Sequence, residues 1–283
     1  MMNYQIKDYQ AAGRSIMKKL ELKTEVVAVK HIKSESEIPD DFIRPLRDTG
    51  HPMTLCMAMT AARFDKKKIA MTAMDNACTP VTFAKGWAKV SIIPFIKSQV
   101  KNDWNKDTLS VLRRFFSYRE LGLGVAKAMW PLNKIFMRHR GMITAPLSET
   151  PFIPETVVIY GTPKQMLFIE NAFCYESKHI PISSHTGYGG SCFSAAYLPL
   201  AVKKPITANL GLGDRAFTRV KDDELVIGML AHVAFDLDKY LFKPGEKDNG
   251  LTARALLARS HELVDEDTLP GWRDIRSIMK YYK

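Results

Sequence analysis

The chain has 283 residues, 46% hydrophobic and 25% charged, with a net charge of +11, a composition that fits a folded globular protein and excludes a disordered or fibrous one. No run of about 18 uncharged apolar residues occurs, which excludes a membrane-spanning helix. The opening MMNYQIKDYQ has acid and polar groups where a signal peptide needs an apolar core, so the expected location is the cytoplasm.

In chain order, residues 5–20 read as a helix with Ile6, Tyr9, Ile16 and Leu20 near one face. EVVAVKH (Glu25–His31) reads as a buried strand. Residues 34–52 are polar, carry Pro39, Pro45 and Pro52, and read as a loop. Thr54 caps a helix that runs to about Arg63, and Ile69–Ala73 is the next strand. A helix then opens near Thr79, with Pro80 at a favourable early position. Between Lys97 and Arg140 ten basic residues face three acids, so this stretch holds most of the net charge. It contains two expected helices, Thr108–Tyr118 and Val125–Arg138.

A second unit begins at ETVVIY (Glu155–Tyr160), a strand. GTPKQMLFIENAF follows, with Thr162 as N-cap, Pro163 at N1 and Gln165 completing a capping box. Next come a strand near Ile180–Ser184, a glycine-rich loop, a helix opening at Ser191, a strand at Ile206–Leu210 and the loop Gly211–Arg215. Asp222 is expected to cap a helix running to His232, and the last 40 residues read as charged and mostly helical. Alternating strand and helix signals predict an α/β or α+β fold, a mixed sheet with at least one parallel βαβ unit. One domain is expected over 1–283, with pseudo-repeated halves at 15–90 and 150–235 joined by the basic helical insert 97–140. Chance similarity between two βαβ units is the rival explanation.

Four cysteines make no disulfide framework, so in a reducing compartment they are free thiols, metal ligands or catalytic groups. Cys56 and Cys192 fall at helix starts, where free N–H groups favour a thiolate. Cys78 follows a strand and a turn, where sites collect in α/β folds. Cys174 ends a helix and reads as structural. Three thiolates suit an iron–sulfur cluster with one open iron, or zinc with a fourth ligand, and His185 is best placed to complete either. The glycines at 187–190 suit an anion or a plain tight turn. Lys30 ends a buried strand and must reach water, a carboxylate or an anionic ligand. Asp214 and Arg215 pair with each other or orient a ligand, and Arg63 is explained by the helix dipole.

VVAVKHI with Ile38-Pro39, Leu55-Cys56 and Asn76-Ala77-Cys78 resembles the first half of the family known as domain of unknown function 169. Pro146-Leu147, PETVVIYGTPKQM, Ser191-Cys192, Asn209 to Arg215 and Asp222-Asp223-Glu224 resemble its second half. The resemblance spans roughly residues 15–240. It implies an archaeal or anaerobic-bacterial setting and recurring cysteines at Cys56, Cys78 and Cys192. A further cysteine that the family often has in the loop 211–215 is missing here, which points to a three-cysteine site. The leading expectation is an oxidoreductase, or a cluster-dependent lyase or hydrolase. Cys56, Cys78 and Cys192 would hold the metal, first a 4Fe-4S cluster and otherwise zinc. Lys30, Asp214 and Arg215 would hold a small anionic substrate. One alternative is a non-catalytic binder of an anionic small molecule or tetrapyrrole-like cofactor. Another is an adaptor for polyanions or membrane surfaces working through 97–140, a segment that could equally dock a redox partner protein. Aromatics there fall at helical spacings that suit packing better than base stacking, which argues against nucleic acid.

Overall fold

A seven-stranded mixed sheet has the order β2-β3-β1-β4-β7-β6-β5. The strands are β1 (Val27–Ile32), β2 (Ile69–Thr72), β3 (Gly141–Pro146), β4 (Thr156–Gly161), β5 (Ile182–Ser184), β6 (Ile206–Asn209) and β7 (Leu225–Leu230). This computed structural model describes residues 4–78, 87, 139–174, 179–184 and 190–241, which belong to one compact unit, Met1–Leu241. Among these strands only β5 and β6 pair in parallel, and the other neighbours are antiparallel. The α/β class expected from the alternating signals is therefore the observed one.

Apolar residues fill both faces of the central strands, so helices must cover both sides. One layer contains α1 (Ile6–Lys19), α4 (Pro163–Cys174) and α7 (Val233–Tyr240), and its core includes Ile16, Ala28, Val157, Ile169, Ile227 and Leu237. The other contains α3 (Leu55–Asp65), a π-helical segment (Gly190–Ala195), α5 (Leu198–Val202) and α6 (Leu212–Phe217). Its core includes Val29, Met59, Met71, Val158, Cys192 and Tyr197. A short α2 (Pro45–Thr49) lies in the stretch expected to be loop, started by Pro45 at N1 and stopped by Gly50 at φ 74°.

Strand order is two-fold about the β1–β4 pair. On one side β1 and β2 flank β3, and on the other β4 and β6 flank β7; the β1–β2 connection carries α3, and the β4–β6 connection carries α4, β5, the π-helical segment and α5. Two local expectations are corrected. Residues 225–230 form β7, not a helix capped by Asp222, because a short apolar run takes whichever form its neighbours can pair, and here β4 and β6 pair both its edges. Residues 211–217 are not a plain loop, since Gly211 is the N-cap of α6. Expectations for the helix near Thr79, the helices at 108–118 and 125–138, nearly all of the basic insert, His185 with its glycine loop, and the C-terminal 40 residues lie outside the described residues.

Candidate functional site

Cys56 and Cys78 are brought together by a short bridge in the backbone. Met53 pairs in parallel with Asn76, through Met53 N to Asp75 O (2.9 Å) and Ala77 N to Met53 O (3.0 Å). The start of α3 is thereby tied to the turn after β2. Asp75 fixes that turn from inside. Its buried carboxylate accepts from Arg44 Nε (3.1 Å), Leu46 N (3.2 Å), Thr72 N (3.0 Å) and Thr72 Oγ1 (2.8 Å). Asn76 then clasps the next residues, accepting from Cys78 N (3.2 Å) and donating to Cys78 O (2.8 Å).

Thr54 caps α3 as expected, accepting from Met57 N at 3.2 Å. Its Oγ1 also lies 3.0 Å from Cys56 Sγ. The thiol does not become acidic, however. Burial pushes it up to about 12, with the Asp214 charge second and Cys78 contributing. The expected N-terminal activation is overruled because desolvation of a buried thiolate exceeds what a helix start supplies.

Asp214 comes from the other half of the chain. It is buried, and it accepts from Gly211 N (3.0 Å), from Ser191 N (3.3 Å) and, in a short contact, from Ser191 Oγ. One carboxylate therefore joins the start of α6 to the start of the π-helical segment carrying Cys192. Burial raises its pKa from the ordinary carboxylate value, against the hydrogen bonds from Ser191 and Gly211. A Cβ placed on neighbouring Gly213 would stand 3.7 Å from Cys56 Sγ, so α6 packs directly on the thiol. Cys78 and Cys192 share the apolar cluster of this layer.

The network continues inward. The Tyr160 hydroxyl hydrogen-bonds Ser191, and burial, then the Asp214 charge, push the phenol pKa up. Over the Tyr160 ring, at 4.3 Å, lies the Arg63 guanidinium. Arg63 is buried, binds both oxygens of Glu224 and donates to Thr24 Oγ1 (2.7 Å). It is thus part of a buried ion pair, and the helix dipole is not its reason for being there. Burial alone would raise Glu224, but the Arg63 hydrogen bonds outweigh it and hold the carboxyl low.

Lys30 does not join this set. Side chains alternate along β1, and Val27 and Val29 face the thiol layer, so Lys30 points to the opposite face, where its Nζ lies 3.8 Å from Glu37 Oε2. Arg215 turns to the surface and pairs with Asp222 at 2.9 Å. Of the three expected substrate ligands only Asp214 stands beside the thiols. The thiol face also carries a group that spacing did not reveal. His31 Nδ1 lies 2.8 Å from Glu155 Oε2, which also accepts from the His31 backbone N–H, and the ring meets Tyr197 edge-on at 4.6 Å. Two adjacent signals, a histidine one residue past the lysine and a glutamate opening the next strand, were there to be read. Among the described residues, no three or more His, Cys, Asp and Glu side chains are grouped so as to hold a metal ion.

Residues 15–233 match a family model described as DUF169, uncharacterised ArCR. The chain belongs to the DUF169 family. A similar relative is the uncharacterised protein MJ0308 of Methanocaldococcus jannaschii. It is 24% identical over 223 residues, which cover 78% of this chain and 88% of the relative. The match to the DUF169 model takes in α3, β2, the π-helical segment and α6, so it includes all the thiol-layer elements described above. No solved structure matches, and no described helix is long and apolar enough to cross a membrane.

Proposed function

We propose that this DUF169 protein is a thiol-liganded metal protein in which Cys56, Cys78 and Cys192 take up a metal, first an iron–sulfur cluster and second zinc. We infer that it works as an oxidoreductase or as a cluster-dependent lyase or hydrolase. The observation that carries this reading is the setting of Cys56. Burial first, then the charge of the Asp214 carboxylate, with Cys78 contributing, raise the pKa of its thiol. A site whose groups repel one another as anions is matched to a cation. A metal ion turns that repulsion into attraction and takes the place of the thiol proton. The donor set fits a thiophilic metal in kind, with soft sulfur ligands and a carboxylate at hand. When bound, a cluster with an open iron supplies a Lewis acid or an electron donor. This chain's own contribution is to hold the two loops at fixed spacing through the Met53–Asn76 bridge and to keep the Cys56 and Cys192 thiols away from water. A small anionic substrate would then be held by the open coordination position rather than by Lys30 or Arg215.

The test is purification under strict anaerobiosis, followed by iron, sulfide and zinc analysis and a visible spectrum. Iron with sulfide, or zinc, close to stoichiometric and lost in Cys56→Ser, Cys78→Ser and Cys192→Ser, supports the reading. Protein that carries no metal, and takes none up on anaerobic reconstitution while remaining folded, overturns it.

A further inference from the structure

A cleft of about 430 Å³ opens between α1 and the Leu147–Glu149 turn, away from the thiols. Gly13 lets the two elements meet closely, because a Cβ there would lie 3.0 Å from Leu147 and 3.1 Å from the Ser148 nitrogen. Arg14 and Lys18 stand one turn apart on the helix and both line the cleft. Lys66 faces them from the end of α3, fixed in the left-handed region at φ 54°.

The acids of the cleft are already satisfied. Lys66 Nζ lies 3.1 Å from Glu25 Oε1 and 3.0 Å from Glu149 Oε1, and buried Glu25 also accepts from Ser148 Oγ at 2.7 Å. Arg14 gives one N–H to Ser148 O at 2.8 Å. Its guanidinium and the Lys18 ammonium make no ion pair among the described residues. Three cations thus meet two carboxylates, and the two without a carboxylate share one wall. Met17 and Leu22 supply an apolar patch beside them.

We propose that this cleft binds a small organic anion, its carboxylate or phosphate gripped by Arg14 and Lys18 and its apolar part laid against Met17 and Leu22. The volume is that of a small-metabolite site. A planar guanidinium beside a mobile ammonium suits either headgroup. This site is independent of the metal reading, and neither needs the other.

Isothermal titration of the full-length protein with hexanoate, hexyl phosphate and inorganic phosphate tests it. At least one hexyl anion is expected to bind more tightly than inorganic phosphate and to weaken with added salt. Lys18→Ala should weaken it about tenfold and Arg14→Ala by at least as much. Met17→Ser should weaken the hexyl anions but not inorganic phosphate. Lys18 is exposed, so that variant should melt like the wild type. Preference for hexanoate or for hexyl phosphate supports the site and identifies the headgroup. No binding by any of the three at about 10 mM, or equal binding by wild type and Lys18→Ala, overturns it.

Discussion

At Cys56 two effects oppose each other. Free N–H groups at the start of α3 favour the thiolate, whereas burial and the Asp214 charge favour the thiol. Burial wins, so the folded protein holds this proton more tightly than the unfolded chain does. The associated stability is fully present below the ordinary thiol value of 9.0 and is lost as pH climbs through about 12. Alkylation of Cys56 by iodoacetamide, followed by mass spectrometry across pH, should therefore lag behind that of an ordinary thiol. Asp214→Asn, which removes the second cause and keeps the shape, should move the profile to lower pH. An unshifted profile would mean that burial acts alone. Arg63 presents the reverse case. Its partner Glu224 is held below the ordinary value of 4.5, so that contribution is present at neutral pH and fades as pH falls through the lowered value. Arg63→Met leaves the buried Glu224 carboxylate without its cation and should cost about 3 kcal/mol in chemical denaturation at neutral pH, and less in acid. An equal loss at both pH values would assign the effect to lost stacking on Tyr160 instead.

The π-helical segment carrying Cys192 lies unusually close to the sheet. A Cβ on Gly228 of β7 would meet the Ala195 carbonyl oxygen at 1.7 Å, and one on Gly190 would meet the Asn209 carbonyl oxygen at 2.2 Å. Backbone touches backbone at both points, so neither collision can be relieved by turning a side chain. Gly228→Ala should therefore destabilise by about 3 kcal/mol or more, measured by denaturant titration. If metal content is lost before stability, the segment's position is what the thiol site depends on. This element also marks where the sequence stopped being legible. The Thr162–Gln165 capping box and the Thr54 cap are local, and both form where spacing put them, with Thr162 N to Gln165 Oε1 at 2.9 Å and Met57 N to Thr54 Oγ1 at 3.2 Å. The helix at Ser191 was visible as a helix, but its π form and its close seat on Gly228 were not, since that partner lies far away in the chain. LVIGML could not be told from a buried helix by its own pattern, and central strand β3, with Gly141 and Pro146 at its ends, gave no alternation because both its faces are buried. The three cysteines and Asp214 could be singled out as candidates from their positions at element ends. The Arg63–Glu224 pair and the Tyr160–Ser191 contact could not, because each joins residues far apart in the chain.

For the whole molecule, the two-fold strand order decides which regions are held most firmly. β1 and β4 meet at the centre, each hydrogen-bonded on both sides and covered on both faces. β2 lies at one edge, but its backbone is partly covered there, since Ile43 bridges to Ile69 and Ala70 N donates to Ile43 O at 2.9 Å. β5 lies at the other edge with only β6 beside it among the described residues, and Ile180 and Ile182 there are exposed. Unpaired backbone opens at little cost, whereas an interior strand opens only with its neighbours. Hydrogen exchange followed by mass spectrometry should thus give a gradient: slowest in β1, β4 and β7, intermediate in β2, fastest in β5. The two-fold order matches β1 with β4, β3 with β7 and β2 with β6, and leaves β5 as an extra strand beyond β6. The parallel bridge from Ile43 to β2 stands where β5 pairs in parallel with β6, so β2 and β5 are not equivalent edges, and the expected gradient follows from β5 having no such cover on its outer side among the described residues. Equal protection of β5 and β2 would show that the β5 edge is covered in solution, and removing that cover would then be the way to find what supplies it.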